Sequence, residues 1–349
     1  MGGLLSVALS RGSPRVAVSH RPALWSPDVP QPCTAMKTVN RYRGRPVGSS
    51  ARISVAVRGR RRVAPTAQPR PARSRGATYH VRVLILLPPS EGKTAPASGP
   101  SLDLDSLLDA ERLTAARREV MSALAGVSRS AEAASVLGLG PRSAEQVGIN
   151  LSLETSPCVP AHRLFTGVLY EAAGLDSIAE DPTGRAALER HCVVFSGLWG
   201  ILSPTDLVPD HRLSMGTSLP GPGRLPAFWK PYLGPSLTDM AAQGLAVDCR
   251  SADYAAAWKP AAHDGIEVAT VRVVRTADDG SRKVVSHMAK HARGLLAGEL
   301  IRAVAGRTLP ASAHVDDIAR VAGRLDGIDD VEVSEPDRQG RRALTLVTR

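Results

Sequence analysis

The feature that most constrains the fold is a change of composition near residue 80. Residues 1–80 contain fifteen Lys or Arg but one acid, Asp28. They show no sustained helical or alternating pattern of apolar residues, so we expect a basic disordered extension with no core of its own. Of 44 basic and 33 acidic residues in the chain, residues 81–349 keep 29 and 32, a net charge of −3. The folded domain is therefore expected over residues 81–349, with a slightly acidic surface.

Three interpretations of residues 1–80 stay open. They fit a basic arm that binds nucleic acid, or an Arg-rich, acid-poor transit peptide. They also fit sequence upstream of the true start of translation. We favour the third, because organised sequence begins abruptly at Val81, and Val can be encoded by an alternative start codon.

Cysteine spacing and apolar runs indicate the compartment. Cys33, Cys158, Cys192 and Cys249 show neither close pairing nor metal-type spacing, which is typical of a reducing compartment. No apolar run approaches the roughly 18 to 20 residues that cross a bilayer. We therefore expect a soluble cytoplasmic protein that does not associate with a membrane.

Apolar patterns in residues 81–349 predict strands and helices in mixed order. The run Leu84–Leu87 predicts a buried first strand, and helical spacing of apolar residues follows from Leu104 to Leu124. Ser286 precedes a helix that Gly306 is placed to end. The other predicted elements are strands at 191–197, 245–250, 266–274 and 283–288, with a hairpin turn before the last, then a helix at about 312–325 and a closing hairpin.

A proline-rich stretch separates the predicted strands in the middle of the domain. Residues from Ser203 to Pro235 include seven prolines together with large apolar residues, which predicts a long ordered loop. Such long irregular connections do not give the regular alternation of a doubly wound sheet. We therefore predict an α+β fold, a single compact mixed domain whose irregular central sheet is flanked by helices, with the strand order left open.

The segment "LILLPPSEGKT" (84–94) ends like a nucleotide-binding loop. A phosphate-binding P-loop needs a glycine where this chain has Leu87, and a helix directly after Lys93-Thr94, where Pro96 and Pro100 intrude. A Walker-type NTPase is therefore excluded. A polar loop at the carboxyl end of a strand is still a common place for a site, although Lys93 in a plain surface turn remains the alternative.

Gly-apolar-Gly in "VLGLGPRSAEQV" (136–147) fits the turn of a helix-hairpin-helix element. In that element, backbone amides at Gly138 and Gly140 approach a phosphate, and the later small and apolar residues lock two crossing helices. Arg142 is well placed to assist at the phosphate. A Gly-rich turn between helices without any ligand remains the alternative.

The segment "SHMAKHARG" (286–294) places His287, Lys290 and Arg293 near one face of a helix. Three cation-capable groups in the first turns can converge on one anion, because the unpaired amides there also favour negative charge. An exposed basic face paired with acids is the alternative. His287 and His291 have the spacing of two metal ligands, but no third ligand is apparent, so no metal and no cofactor are predicted.

Six segments occur in an order that resembles the YaaA family of peroxide stress proteins. They are "LLPPSEGKT", "LFTGVLYEA", "FSGLWGILSPTDLVPDHRLSMG", "FWKPYL", "VDCRSADYAAAW" and "HMAKHARG", which together cover about residues 81–310. The resemblance implies a single mixed α and β domain in a cytoplasmic bacterial protein. It also implies a response to hydrogen peroxide, a limit on damage from unincorporated iron, and DNA binding through a basic cleft with a helix-hairpin-helix element.

The resemblance also implies which residues carry the site. One departure is His211, where the family often has an aromatic residue before the central arginine. The positions carried over are Ser90, Glu91, Lys93, Tyr170, Arg212, Lys230, Arg250, Tyr254, His287, Lys290 and Arg293.

Two functional hypotheses follow. In the first, a protein without assigned enzymatic activity holds DNA mainly by its phosphates, so a domain of net charge −3 needs a local concentration of cations. In the second, the same cleft binds a small phosphorylated or nucleotide substrate, and His287, Tyr254 or Glu91 transfers a proton. The predicted DNA- or anion-binding residues are Ser90, Lys93, Gly138, Gly140, Arg142, Arg212, Lys230, Arg250, Lys290 and Arg293.

Overall fold

A computed structural model describes residues 83–260, 264–277, 281–284, 286–310 and 312–348. The predicted basic extension, residues 1–80, lies outside these ranges. The strands are β1 (Val83–Leu87), β2 (Val159–Pro160), β3 (Cys192–Ser196), β4 (Gly200–Leu202), β5 (Leu207–Val208), β6 (Ser218–Leu219), β7 (Gly223–Arg224), β8 (Leu245–Asp248), β9 (Glu267–Thr276), β10 (Arg282–Lys283), β11 (Asp330–Val333) and β12 (Arg341–Thr348).

Helices occupy most of the connections. They are α1 (Ala110–Ser128), α2 (Ala133–Val136), α3 (Pro141–Ala144), α4 (Ala161–Leu164), α5 (Val168–Ala173), α6 (Leu175–Glu180), α7 (Pro182–His191), α8 (Leu225–Ala241), α9 (Ala252–Ala256), α10 (Ser286–Ala305) and α11 (Val315–Ala322). The helix predicted from Leu104 is in fact a short 3-10 turn, Leu104–Ser106, followed by α1.

The central sheet is mostly parallel. Its strand order is β11-β12-β9-β8-β1-β3-β4, and the pairs from β12 through β3 are all parallel. Strands β4, β10 and β11 pair antiparallel, so the two predicted hairpins at β9–β10 and β11–β12 are confirmed. The Asp-Gly step of the first hairpin lies outside the described residues. Buried on both faces, β1 is apolar throughout, as expected of a central parallel strand.

The predicted single mixed domain, with helices flanking a central sheet, is confirmed, but the predicted irregular sheet of an α+β fold is corrected to a mostly parallel sheet. The alternation of parallel strands and helices was not visible in the sequence, because the connections between successive parallel strands are long. Part of the predicted loop, from Leu225 to Pro235, is helical in α8 although Pro231 and Pro235 lie inside it. Trp229, Leu233 and Leu237, spaced four residues apart, are fully buried on one face, and this packing outweighs the prolines' lost hydrogen bonds.

Close contact between helices fixes one side of the sheet. A Cβ at Gly294 would lie 2.2 Å from the Leu169 carbonyl oxygen, and one at Gly298 would lie 2.2 Å from that of Ala173. These two glycines of α10, four residues apart, therefore let α10 lie directly against α5. Helices α7, α10 and α11 pack on this face of the sheet, and α8 packs on the opposite face against β1 and β4.

A buried carboxylate and a buried guanidinium anchor the long loop after β4. Asp206 accepts hydrogen bonds from the backbone N–H groups of Ser203 at 2.9 Å and Leu108 at 2.8 Å. Arg117 of α1 donates to the carbonyl oxygens of Trp199 at 3.1 Å and Ile201 at 2.9 Å. Both groups satisfy backbone atoms that would otherwise be buried without partners, so the loop keeps one conformation against α1.

Candidate functional site

The carboxyl ends of the adjacent parallel strands β8, β1 and β3 lie at one edge of the sheet. The loop after β1 is pinned there by backbone hydrogen bonds from Thr94 to Leu164 (2.9 Å) and from Thr166 to Gly92 (3.0 Å). The Ser90 hydroxyl donates to the Thr166 carbonyl oxygen. Gly167 has a φ of 117°, and a Cβ there would lie 2.9 Å from the Ser90 oxygen, so this close approach requires glycine. The loop is ordered rather than a plain surface turn.

Tyr170 closes the base of the same loop. Its hydroxyl donates to the Pro88 carbonyl oxygen at 2.8 Å, and its ring lies 5.6 Å from that of Phe165. Burial raises the pKa of Tyr170 well above the ordinary value. The hydroxyl therefore stays protonated and positions the loop.

Lys93 carries the principal charge of this loop. It is half-buried, forms a bridge to the Phe165 backbone, and holds its ammonium 5.8 Å from the centroid of the Phe165 ring. The pKa of Lys93 is lowered to about 8, mainly by burial and also by the positive charge of Arg212, while the negative charges of Asp210 and Glu91 oppose this shift. The Lys93 ammonium has thus lost part of its hydration. With a pKa of about 8, it is mostly charged at neutral pH, and a fraction of the molecules carries the neutral amine.

Arg212 is hydrogen-bonded to the predicted helix-hairpin-helix segment, and its charge acts on Lys93. Its Nη1 lies 2.7 Å from Asp210 Oδ1, and its Nε donates to Gln146 Oε1 at 2.8 Å. Asn150, which is buried, holds the Arg212 backbone by accepting from its N–H at 2.8 Å and donating to its carbonyl oxygen at 3.1 Å. Gln146 lies two residues after α3, and Asn150 lies in the short 3-10 helix Val147–Leu151 that follows, so Arg212 is tied to the end of the segment that begins at Gly138.

The segment around Gly138 and Gly140 consists of two one-turn helices, α2 and α3, on either side of the glycines. Gly138 has a φ of 63°, in the region that favours glycine, and nothing lies within 4 Å of a Cβ built at either glycine. Arg142 lies within α3. Whether this turn acts as a helix-hairpin-helix element stays a prediction.

His211, directly before Arg212, is buried among aromatic rings. Its ring packs edge-on against Trp199, with centroids 5.7 Å apart, and against Phe165 at 6.2 Å. Its Nδ1 lies 3.0 Å from the Pro209 carbonyl oxygen. Burial, assisted by the charge of Lys93, lowers the pKa of His211 to about 3, so the ring is neutral at physiological pH. The aromatic packing is therefore provided by a neutral imidazole.

Tyr254 and Glu91 lie on the same side of this cluster. The Tyr254 hydroxyl accepts from the Met215 N–H at 3.4 Å. Burial raises the pKa of Tyr254, its hydrogen bonds with Met215 and Ser214 oppose that shift, and the negative charge of Glu91 adds to it. Glu91 itself is exposed. A protonated phenol, a carboxylate and an amine of lowered pKa therefore lie near one another. We call Ser90, Glu91, Lys93, Arg212 and Tyr254 the Lys93 cluster.

Arg250 is buried at the end of β8 and is held by the chain itself. Its Nε and Nη2 donate to the two oxygens of Asp248 at 2.8 and 2.7 Å. Its Nη1 donates to the Tyr254 carbonyl oxygen at 3.2 Å, and its Nη2 also donates to that of Trp258 at 3.0 Å. The guanidinium further lies 4.3 Å from the centroid of the Phe195 ring. Most of its five N–H groups are thus engaged, which leaves little capacity for a phosphate.

The three predicted site residues of α10 divide into one half-buried residue and two exposed ones. Arg293 donates to the Val271 carbonyl oxygen at 3.0 Å, while its Nε is buried with no partner among the described residues. His287 and Lys290 are exposed, and neither side chain forms a hydrogen bond or ion pair with a described residue. Lys230, on α8, is likewise exposed. No described contact joins these three exposed residues to the Lys93 cluster.

Three residues that support the cluster were not predicted from the sequence. Phe165 and Gln146 lie inside quoted motifs, but the sequence did not single them out as site residues, and Asn150 lies outside every quoted motif. Only the polar Asn150 between apolar neighbours, "GINL", carries a weak signal of a buried hydrogen-bonded side chain.

The described residues contain neither a helix suited to a membrane nor a cluster suited to a metal ion. None of their helices combines the length and the apolar composition that a bilayer crossing needs. Among the same residues, three or more His, Cys, Asp or Glu side chains nowhere gather in the manner of a metal site.

Comparison with known proteins decides the family. A family profile described as "Peroxide stress protein YaaA" matches residues 83–309. The chain belongs to this family. It is 40% identical over 261 residues to a UPF0246 protein of Streptomyces coelicolor, covering 74% of this chain and 95% of that protein. It is also 38% identical over 268 residues to a UPF0246 protein of Corynebacterium efficiens, covering 76% of this chain and all of that protein.

Proposed function

We propose that this member of the YaaA peroxide stress family is a cytoplasmic protein that binds DNA through the Lys93 cluster and limits damage from unincorporated iron. The family supports the role in peroxide stress. The observation that supports DNA binding is that Arg212, whose charge acts on Lys93, donates a hydrogen bond to Gln146 in the segment that follows the Gly138–Gly140 turn.

The charge of the domain makes this local arrangement necessary. Residues 81–349 have a net charge of −3, so bulk attraction does not hold a polyanion against them. Two half-buried cations, of which Arg212 is bound to Gln146 in the segment that follows the exposed Gly138 and Gly140, give an anion a defined place to bind. Contacts of this type go to phosphates, so binding depends little on base sequence and falls steeply with salt.

The test measures binding of the full chain to a short DNA duplex over a range of salt concentrations. The variant Lys93→Gln/Arg212→Gln is expected to bind more weakly and to lose about 0.9 from the salt slope for each lost phosphate contact. The matched control is Arg118→Gln/Arg190→Gln, which removes the same charge from exposed positions on α1 and α7. Because residues 1–80 are identical in all forms, their basic charge cannot produce a difference between the variants. Equal losses in both double variants would contradict the proposal.

The iron component has a separate test in cells. The described residues offer no gathered set of metal ligands, so we propose an indirect effect rather than iron storage. Cells lacking the protein are expected to contain more chelatable iron after peroxide treatment, and the Lys93→Gln/Arg212→Gln variant is expected not to restore the normal level. Full restoration by that variant would separate iron control from the Lys93 cluster.

A second candidate function is catalysis on a phosphorylated or nucleotide substrate. It is favoured by the lowered pKa of Lys93 beside Glu91 and Tyr254, since an amine that titrates near pH 8 can take or give a proton. Arg212 would hold the phosphate. The substitution Tyr254→Phe removes one hydroxyl and separates the two functions. An enzyme of this type would lose turnover with nucleotide substrates, whereas a DNA-binding protein would keep its affinity for the duplex.

A further inference from the structure

The two faces of the sheet are covered differently at β9 and β12. Helices α10 and α11 pack against one face, where alternate residues such as Val271 and Leu344 are buried. Side chains of a strand alternate between faces, so Thr270 and Arg272 point to the opposite side. Near that side lie α9 and the segment that follows it, and between them and the strands is a cavity of about 340 Å³.

The cavity is lined by more cations than carboxylates. Its charged lining residues are the cations Arg250, Lys259, Arg272, Arg341 and Arg342 and the carboxylates Asp248 and Asp337. Charges of one sign gathered on low-dielectric walls focus the field and attract counter-ions of opposite sign. We call this cavity the Arg272 pocket.

The two carboxylates are already committed to two of the cations. Asp248 binds Arg250 with a closest distance of 2.7 Å, and Asp337 Oδ2 lies 2.8 Å from Arg341 Nη2. Arg342 is directed elsewhere, to Asp316 at 3.6 Å.

Arg272 and Lys259 differ from these residues. Both are exposed, and neither forms a hydrogen bond or ion pair with a described residue. The positive charge of the Arg272 pocket is therefore not neutralised by the part of the chain that the structure describes.

We propose that the Arg272 pocket binds a small molecule carrying a phosphate or pyrophosphate group, up to the size of a mononucleotide. A guanidinium is planar and matches phosphate oxygens with two parallel hydrogen bonds, and an ammonium adds a mobile point charge. A volume of about 340 Å³ lies at the lower end of the range for small-ligand sites. A concave pocket of this size suits a compact anion better than an extended DNA backbone.

This site is separate from the Lys93 cluster although α9 contributes to both. The Tyr254 hydroxyl of α9 meets Met215 in the cluster, whereas Ala255 lines the Arg272 pocket. Arg250 has its main donors engaged with Asp248 and backbone carbonyls, so it supports the pocket wall. The proposal therefore goes beyond DNA binding and stands whether or not the chain binds DNA.

The test titrates the full chain with inorganic pyrophosphate and with adenosine monophosphate, and follows heat of binding and the Tm. A ligand at ten times its Kd is expected to raise Tm by about 3 °C. Arg272→Gln and Lys259→Gln are each expected to weaken binding of the same probe about tenfold or more. Arg190→Gln, an exposed arginine on α7 at the other face of the sheet, serves as the matched control and is expected to bind like the unaltered chain.

Several results would overturn the proposal. They are no binding of either probe, equal weakening by Arg190→Gln, unchanged binding in Arg272→Gln, or an equal response to sulfate at the same ionic strength.

A duplex-binding measurement on Arg272→Gln distinguishes the two sources of phosphate. Unchanged duplex affinity with lost pyrophosphate binding supports a small ligand. Parallel loss of both would assign the pocket to the DNA backbone and remove the small-ligand proposal while leaving DNA binding intact.

Discussion

Lys93 and Arg250 both follow the carboxyl ends of two neighbouring parallel strands, β1 and β8. The two cations differ in their burial and in the groups that bind them. Arg250 is buried and bound by both oxygens of Asp248, by backbone carbonyl groups and by an aromatic face. Lys93 is half-buried and has lost hydration without gaining a carboxylate at hydrogen-bond distance, so its pKa falls to about 8. The partners of a cation, rather than its place in a motif, decide whether it serves the fold or remains available to a ligand.

The largest expected effect is on the free energy of unfolding, and it concerns the buried cation, Arg250. Replacing Arg250 by Met leaves the Asp248 carboxylate buried without its partner, which is expected to lower the free energy of unfolding by about 3–5 kcal/mol. The same substitution at Lys93 removes a charge that burial already disfavours, so we expect a change below about 1 kcal/mol. Urea unfolding of the two variants measures both values. A larger loss in Lys93→Met than in Arg250→Met would reverse the comparison.

The second prediction concerns the charge of Lys93 and DNA binding. Because its folded pKa is about 8, the ammonium loses its proton as pH rises through that value. If Lys93 contacts a phosphate, affinity for a duplex is expected to fall by up to about tenfold for each pH unit above 8.

The control for this prediction is Lys93→Arg, whose guanidinium stays charged over this range. Its affinity is expected to change little between pH 7 and 9. A parallel decline in both proteins would show that another group is responsible.

Lys93 also bears on stability at high pH. Between about pH 8 and its ordinary value of 10.5, the unfolded chain binds more protons at this residue than the folded chain does. The contribution of Lys93 to the free energy of unfolding therefore increases as pH rises through that window. The comparison with Lys93→Met isolates this contribution, since the Met variant lacks the titrating group.

The last prediction concerns His211, whose pKa Lys93 helps to lower. Its folded pKa is about 3 and its ordinary value is 6.5, so the unfolded chain binds more protons between these values. His211 is therefore expected to reduce stability progressively as pH falls from 6.5 towards 3, by at most about 1.4 kcal/mol per pH unit. The variant His211→Gln is expected to show a flatter dependence of unfolding free energy on pH in this range. An unchanged slope would mean that His211 is protonated in the folded protein.

Much of the secondary structure follows directly from the sequence. The apolar runs of β1, β3 and β8, the hairpins at β9–β10 and β11–β12, and the long helix α10 are readable because burial imposes local periodicity. Helix α8 was not predicted, because its prolines carry a strong local signal against helix. That signal is outweighed by Trp229, which packs against Gly200, where a Cβ would lie 2.8 Å from the indole ring.

The candidate site, too, could be predicted from the sequence only in part. The segment "PPSEGK" at the end of a buried strand indicates a polar site, and the order of six segments indicates the YaaA family. The sequence does not reveal that Gln146 and Asn150 bind Arg212, because these contacts join positions more than sixty residues apart. Nor does it distinguish Arg250 from Arg212, since both are arginines beside an aspartate.

By itself, then, the sequence determined the family, the longer strands of the central sheet and the helices α1, α10 and α11, because these depend on motif order and local periodicity. The tertiary structure decided the parallel strand order, which cations are enclosed, and which are left without a partner. Those properties depend on distance and desolvation between segments remote in the chain, and a linear pattern does not specify them.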